Sequence, residues 1–140
     1  MEKRQTILVV EDDEFVRRAI ERYCSDYAPT LSVATVRDAL QALDRDLIAA
    51  ILDIELPDGS GLTVLEALRE RHPTLPVLIH SGCINTEVAV LAYRYGAELL
   101  GKTGDLIRLR EFVKRAVRAR RDSGEHRASV DDNGNFGPCL

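Results

Sequence analysis

"TILVVEDDEFVRRAIERY", residues Thr6 to Tyr23, decides how the chain is built. Ile7 to Val10 form an apolar run of strand length, and "FVRRAIERY" carries helical periodicity. Between them stand Glu11, Asp12, Asp13 and Glu14, so a chain that has just completed a buried strand crowds four carboxylates at its end. Two unit charges 4 Å apart in a partly buried site repel by roughly 4 kcal/mol at an effective dielectric near 20. A cluster held there calls for a cation or a protonated member.

The same alternation repeats outward from this unit. "LSVA", "AAILDI", "PVLIHS" and "ELLG" read as strands, and "VRDALQAL", "LTVLEALRE", "EVAVLAYRY" and "LIRLREFVKRAV" as helices, which makes five βα rounds. Val88, Leu91, Ala92 and Tyr95 form one apolar stripe; Leu106, Leu109, Val113, Ala116 and Val117 form another. Strands alternating with helices mean parallel pairing with helices on both faces. "AAILDI" and "PVLIHS" are apolar without strict alternation and belong near the sheet centre, whereas "LSVA" suits an edge. "TVRD" at Thr35–Asp38 resembles a capping box, Asn85 can cap the fourth helix, and Gly96 can end it.

A chain of 140 residues with 45% hydrophobic and 30% charged residues suits one domain with an ordinary core. The net charge of −4 lacks the basic excess of a nucleic-acid binder, so direct nucleic-acid contact is not expected. Cys24, Cys83 and Cys139 are odd in number and widely spaced, which argues against a disulfide framework or a zinc site and suits a reducing cytoplasm. His72, His80 and His126 have no constellation around them. The first apolar run is too short for a signal segment or a membrane span. Periodicity ends after Arg121, so the expected domain covers 1–121, with 122–140 a flexible tail or truncated linker.

Ligands of parallel α/β sheets bind outside the carboxyl ends of the strands. Glu11 and Asp12 end the first strand, Asp53 the third and Ser81 the fourth, and Lys102 follows the fifth. Taken singly, each has a simpler reading: acids charge the next helix N-terminus, Asp53 serves a turn, Ser81 a cap, and Lys102 is a solvated amine. Chance would scatter such residues over both ends of the sheet, and here all lie at one.

The ordered set "VVEDD", "LDIELPDGSGL" (an Asp four residues before Pro57 and eight before Gly61), "HSG" and "GK" resembles the response-regulator receiver domain of two-component signalling, over Thr6 to about Arg121. The resemblance implies a flavodoxin-like, doubly wound parallel sheet of five strands in order 2-1-3-4-5. It implies Asp53 as phosphoacceptor, Glu11 and Asp12 as the acidic pair holding Mg²⁺, and the backbone carbonyl of Glu55 as a further ligand. Ser81 and Lys102 would engage the phosphoryl oxygens. Such chemistry relies on positioning and charge neutralisation, and a hard octahedral ion suits this oxygen-rich rim. Glu55 and Cys83 correspond to positions beside the path of hydrolytic water, where Glu55 either alters dephosphorylation or simply faces solvent. Asp13 falls outside the acidic pair and fits a first-turn helix role better.

The resemblance is incomplete. Receivers ordinarily follow that lysine with a cis proline, but Thr103 stands here, and a non-proline cis bond costs about 3 kcal/mol, so a trans peptide is expected. Leu99 replaces the usual aromatic three residues before Lys102, and the spacing from Gly96 to Lys102 is one residue short. A phosphorylation-independent docking module therefore stays open beside the phosphoacceptor. "GAELLGKT", Gly96 to Thr103, also matches a P-loop. That pattern needs a strand before the loop and a helix starting at Lys-Thr, whereas "ELL" itself reads as the strand, so an NTPase is disfavoured. Arg108, Arg110, Lys114, Arg115, Arg118, Arg120 and Arg121 line the last helix as a solvated face or a partner surface. The expected partners are a histidine kinase or histidine phosphotransfer protein and an unidentified downstream protein. A homodimer across the fourth helix, fifth strand and fifth helix is a further candidate, with Val90, Tyr93 and Arg94 off the buried stripe.

Overall fold

Ile7, Leu8, Val9 and Val10 are all fully buried, the consequence of β1 (Thr6–Val10) being covered on both faces. The computed structural model describes residues 5–104 and 106–128. After β1 come α1 (Glu14–Cys24), β2 (Thr30–Val33), α2 (Val36–Gln41), β3 (Leu47–Leu52), a two-rung hairpin of β4 (Glu55–Leu56) and β5 (Gly59–Ser60), α3 (Gly61–Arg71), β6 (Val77–Ser81), α4 (Thr86–Arg94), β7 (Glu98–Gly101) and α5 (Leu106–Ala128). The main sheet is parallel, in order β2-β1-β3-β6-β7, which is 2-1-3-4-5 when only its own strands are counted. β2 is an edge, and β3 and β6 lie inside the sheet, as their sequences imply.

Alternating side chains build two cores. Leu8, Val10, Leu52 and Ile79 face α2, α3 and α4, where Ala39, Leu65 and Val88 meet them. Ile7, Val9, Ile51 and Leu78 face α1 and α5, where Ile20, Leu109, Phe112 and Val113 close over them. Phe112 lies outside the expected α5 stripe yet is buried, because the second core is deep enough to take an adjacent face of the helix.

The helix ends follow their local chemistry. Asp13 accepts from Phe15 N and Val16 N and caps α1, while Glu14 pairs with Arg18 one turn on; a cap of this kind contributes about 1 kcal/mol. Thr35 and Asn85 cap α2 and α4, and Gly96, at φ 65°, takes the left-handed conformation after α4. Arg69 reaches from α3 to the carbonyls of His72, Leu75, Tyr95 and Gly96, tying the C-terminal ends of α3 and α4 together. α5 continues past Arg121 to Ala128, seven residues beyond the expected boundary. A lone Gly124 costs about 1 kcal/mol in a helix and does not stop one already nucleated by packing. The rest of the expected tail, 129–140, lies outside the described residues. No helix among the described residues is long and apolar enough to cross a membrane.

His80 is buried in β6, and neither ring nitrogen has a hydrogen-bond partner among the described residues. Burial, reinforced by the charge of Lys102 and opposed by Asp53, holds its pKa below the ordinary value of 6.5. The folded state therefore favours the neutral ring. That contribution is complete above the unfolded pKa, near 6.5, and is lost as pH falls toward the lower folded value. His80→Leu removes both the titration and the unpaired nitrogens. Its melting temperature should exceed that of the wild type by an amount that grows between pH 7 and pH 5, with roughly 1 kcal/mol already present at neutral pH. Thermal melts across that range check this, and a pH-independent difference contradicts it.

Candidate functional site

The acids of the first turn divide into two pairs by position. Asp13 and Glu14 serve α1, whereas Glu11 continues the inward alternation of β1 and is buried at 1% exposure. Asp53 continues β3 in the same way, at 4% exposure, with its N–H donating to Val10 O at 2.9 Å. The sheet register thus sets Glu11 beside Asp53. Asp12 sits on the exposed rim above them, and carboxylate oxygens of Glu11, Asp12 and Asp53 all lie within 4.8 Å of one another.

Lys102 enters this cluster from the end of β7. Its Nζ lies 2.7 Å from Glu11 Oε1 and 2.8 Å from Asp53 Oδ2. Burial works against the ammonium charge, but the hydrogen bonds to Asp53 and Glu11 outweigh it and hold the Lys102 pKa above its ordinary value. Burial pushes Glu11 up, to about 7; the Lys102 hydrogen bond opposes the rise and neighbouring Asp53 adds to it. Glu11 Oε2 has no hydrogen-bond partner among the described residues. With all three acids ionised, one ammonium leaves two negative charges uncompensated, in a donor set made only of oxygens. That charge and that chemistry fit a hard divalent cation such as Mg²⁺.

The backbone around Asp53 is shaped by close approach. A Cβ on Gly61 would stand 1.9 Å from Asp53 O, so only glycine admits this crossing of α3's first residue over the end of β3. Gly61 N donates to Ile54 O at 2.7 Å and closes the base of the β4–β5 hairpin. Glu55 N donates to Asp53 Oδ1 at 3.3 Å, which brings the Glu55 backbone beside that carboxylate, while its side chain is exposed.

Ser81 is buried at the end of β6, but its hydroxyl is engaged in its own turn. Cys83 N donates to Ser81 Oγ at 3.2 Å, and Oγ donates to Cys83 O at 3.3 Å. Cys83 is exposed. Of the residues expected at the site, Glu11, Asp12, Asp53 and Lys102 form one cluster, Glu55 borders it, and the Ser81 side chain makes no hydrogen bond to it.

No cis peptide occurs among the described residues, so Lys102 and Thr103 are joined in trans. Lys102 reaches the acids all the same, because Lys102 N donates to Ser81 O and continues the β6–β7 pairing by one residue. Leu99, in place of an aromatic, packs against the core that faces α2, α3 and α4. Within "GAELLGKT" residues 98–101 are β7 itself, and the lysine turns into carboxylates, so the segment is no phosphate-cradling loop.

Two contributors were not foreseen. Arg17 Nη1 donates to Glu11 O at 2.9 Å and binds α1 to the acidic turn. Its place one helical turn after Asp13 is visible in sequence, but surface arginines at such positions are too common to single out. Asp58 reaches away from the hairpin to α2, a contact between segments that no local pattern encodes.

Comparison with known proteins bears on the family and the fold. The response regulator protein PilR of Pseudomonas aeruginosa is 36% identical over 132 residues, covering 92% of this chain and 29% of PilR. The luminescence regulatory protein LuxO of Vibrio campbellii is 34% identical over 115 residues, covering 79% of this chain and 25% of LuxO. The chain therefore spans less than a third of these relatives. Among solved structures, a CheY-like response regulator receiver domain protein from Methanospirillum hungatei superposes with a TM-score of 0.78 at 23% identity, covering 86% of this chain and 98% of that one. The non-phosphorylated HemR receiver domain from Leptospira biflexa gives 0.72 at 26% identity, covering 81% and 94%. Residues 7–114 match the response regulator receiver domain family, and with the parallel sheet, the acidic rim and its lysine in place the chain belongs to that family.

Proposed function

We propose that this receiver domain accepts a phosphoryl group from a phosphohistidine donor onto Asp53, with Mg²⁺ held by Glu11, Asp12, Asp53 and the Glu55 carbonyl. The observation that carries the reading is the buried Asp53 carboxylate, held between Lys102 and the Glu11–Asp12 pair, with charge to spare for one divalent ion. In the transfer the donor's P–N bond breaks as an Asp53 oxygen bonds to phosphorus, giving an acyl phosphate. Bound Mg²⁺ would supply charge neutralisation to two anions forced together.

The chain's own groups do the remainder. Lys102, already bonded to Asp53, pairs with a phosphoryl oxygen as charge grows there. Ser81 exchanges its bonds to Cys83 for another phosphoryl oxygen, which couples the modification to the turn before α4. The domain is thus a phosphoacceptor that assists its own transfer and its own hydrolysis, not an enzyme acting on a separate substrate. Its partners are a histidine kinase or histidine phosphotransfer protein and a downstream protein, and its setting is the cytoplasm. A surface across α4, β7 and α5, where Ile84, Val90 and Tyr93 are exposed, serves that downstream protein or a second copy.

Acetyl phosphate with Mg²⁺, followed by intact mass, tests the reading. Wild type gains the mass of one phosphoryl group, and Asp53→Asn or removal of Mg²⁺ with a chelator abolishes the gain. An unmodified wild type would instead favour a phosphorylation-independent docking module, in line with the departures at Leu99 and Thr103. The Glu55 side chain is exposed two residues after Asp53; a role as proton acceptor for attacking water predicts that decay of the phosphorylated form slows several-fold in Glu55→Ala. An unchanged half-life removes that role from Glu55.

A further inference from the structure

We propose that Asp58 is a positioning residue for this site: its carboxylate latches the tip of the β4–β5 hairpin to the first turn of α2, and so fixes the backbone of Glu55 beside Asp53. The inference rests on the function proposed above and deepens it.

The latch starts from the needs of a short helix. The first amides of any α-helix have no partner within it. In α2 these are met from two directions. Asp58 Oδ1 accepts from Val36 N at 2.8 Å and Oδ2 from Arg37 N at 3.0 Å, while Thr35 Oγ1 accepts from Asp38 N at 3.0 Å. Thr35 is the helix's own cap. Asp58 belongs to a segment more than twenty positions later in the chain, and it uses both carboxylate oxygens. Hydrogen bonds to an ionised acceptor are roughly twice as strong as neutral ones, and a helix N-terminus favours the negative charge. The Arg37 and Val36 amides lower the Asp58 pKa, in keeping with a carboxylate that stays ionised.

The other end of the latch is the hairpin. Its two rungs pair Glu55 with Ser60 and Leu56 with Gly59. A ribbon this short does not hold its shape unaided. Its base is closed by the bond from Gly61 N to Ile54 O, and Leu56 packs against the core beside α2. Its tip, Pro57–Asp58, is held at α2 by Asp58, with Gly59 so near α2 that a Cβ added there would reach van der Waals contact with Val36. Glu55 sits between the two anchors. Without the tip anchor the hairpin must be ordered each time a cation is bound, and that ordering reduces affinity. The coupling is reciprocal, because whatever the latch adds to cation affinity a bound cation adds to the latch. α2 is therefore connected to the occupancy of the site through one carboxylate.

The test compares the full chain with Asp58→Ala and Asp58→Asn by Mg²⁺ titration calorimetry, thermal melts, and amide hydrogen exchange with and without Mg²⁺. Asp58→Ala should raise the Mg²⁺ Kd by about tenfold, the lower range for groups that support metal ligands. Asn keeps one acceptor oxygen and should fall between. In wild type, Mg²⁺ should slow exchange at Val36 and Arg37, a readout independent of any variant's folding. A purely structural role would lower the melting temperature of both variants and leave their Mg²⁺ Kd at the wild-type value, which overturns the proposal. Exchange at Val36 and Arg37 that ignores Mg²⁺ overturns it too, even where Asp58→Ala does not fold. A wild type that binds no Mg²⁺ defeats the proposed function and the latch together, whereas a binding wild type matched by Asp58→Ala defeats the latch alone.

Discussion

One ammonium between two buried carboxylates organises the whole rim of this domain. Lys102 bridges Glu11 and Asp53, two buried carboxylates that come from neighbouring strands and repel each other. A buried ion pair is a poor source of net stability, since desolvation offsets most of the attraction. Its value here is arrangement. It draws the end of β7 toward β1 and β3 and leaves negative charge in reserve, so the cluster has a reason to take up a divalent cation and an anionic phosphoryl group. Burial makes the same point from the other side: it pushes Glu11 up to about 7, so its ionised form is disfavoured and added positive charge at the rim would favour it.

Around that bridge the backbone is set by contacts that admit few alternatives. Gly61 crosses so near Asp53 O that a side chain has no room, which turns the chain sharply from the acceptor strand into α3. The hairpin between them carries the Glu55 backbone to the rim, and its tip is carried by α2. The residues nearest the chemistry are therefore held by elements on both faces of the sheet: α1 through Arg17, α2 through Asp58, and α3 through Gly61.

Much of this was legible in advance, for identifiable reasons. Glu11, Asp12, Asp53 and Lys102 stand at strand ends that parallel pairing must bring to one edge, so their convergence follows from the alternation of strand and helix. The glycine eight residues after Asp53 was visible as spacing, but its reason, a clash with a carbonyl, exists only in three dimensions. Ser81 stands at the end of β6, as its place in the chain implies, but the turn its hydroxyl closes with the Cys83 backbone exists only in the folded chain. α5 runs past Arg121, where the domain is expected to end, since the loss of apolar periodicity marks where a helix leaves the core and not where it must unwind.

The amino-acid sequence by itself determined the parallel sheet, its two buried faces, the caps of α2 and α4, and the set of charged residues at the rim. Each of these depends on residue type at short range or on hydrophobic period, and both are written linearly in the chain. Only the tertiary structure decided that Lys102 lies between Glu11 and Asp53, that the buried His80 ring has no hydrogen-bond partner among the described residues, and that Asp58 reaches α2. Those arrangements depend on which side chains meet across segments brought together by packing, and no local spacing carries that information.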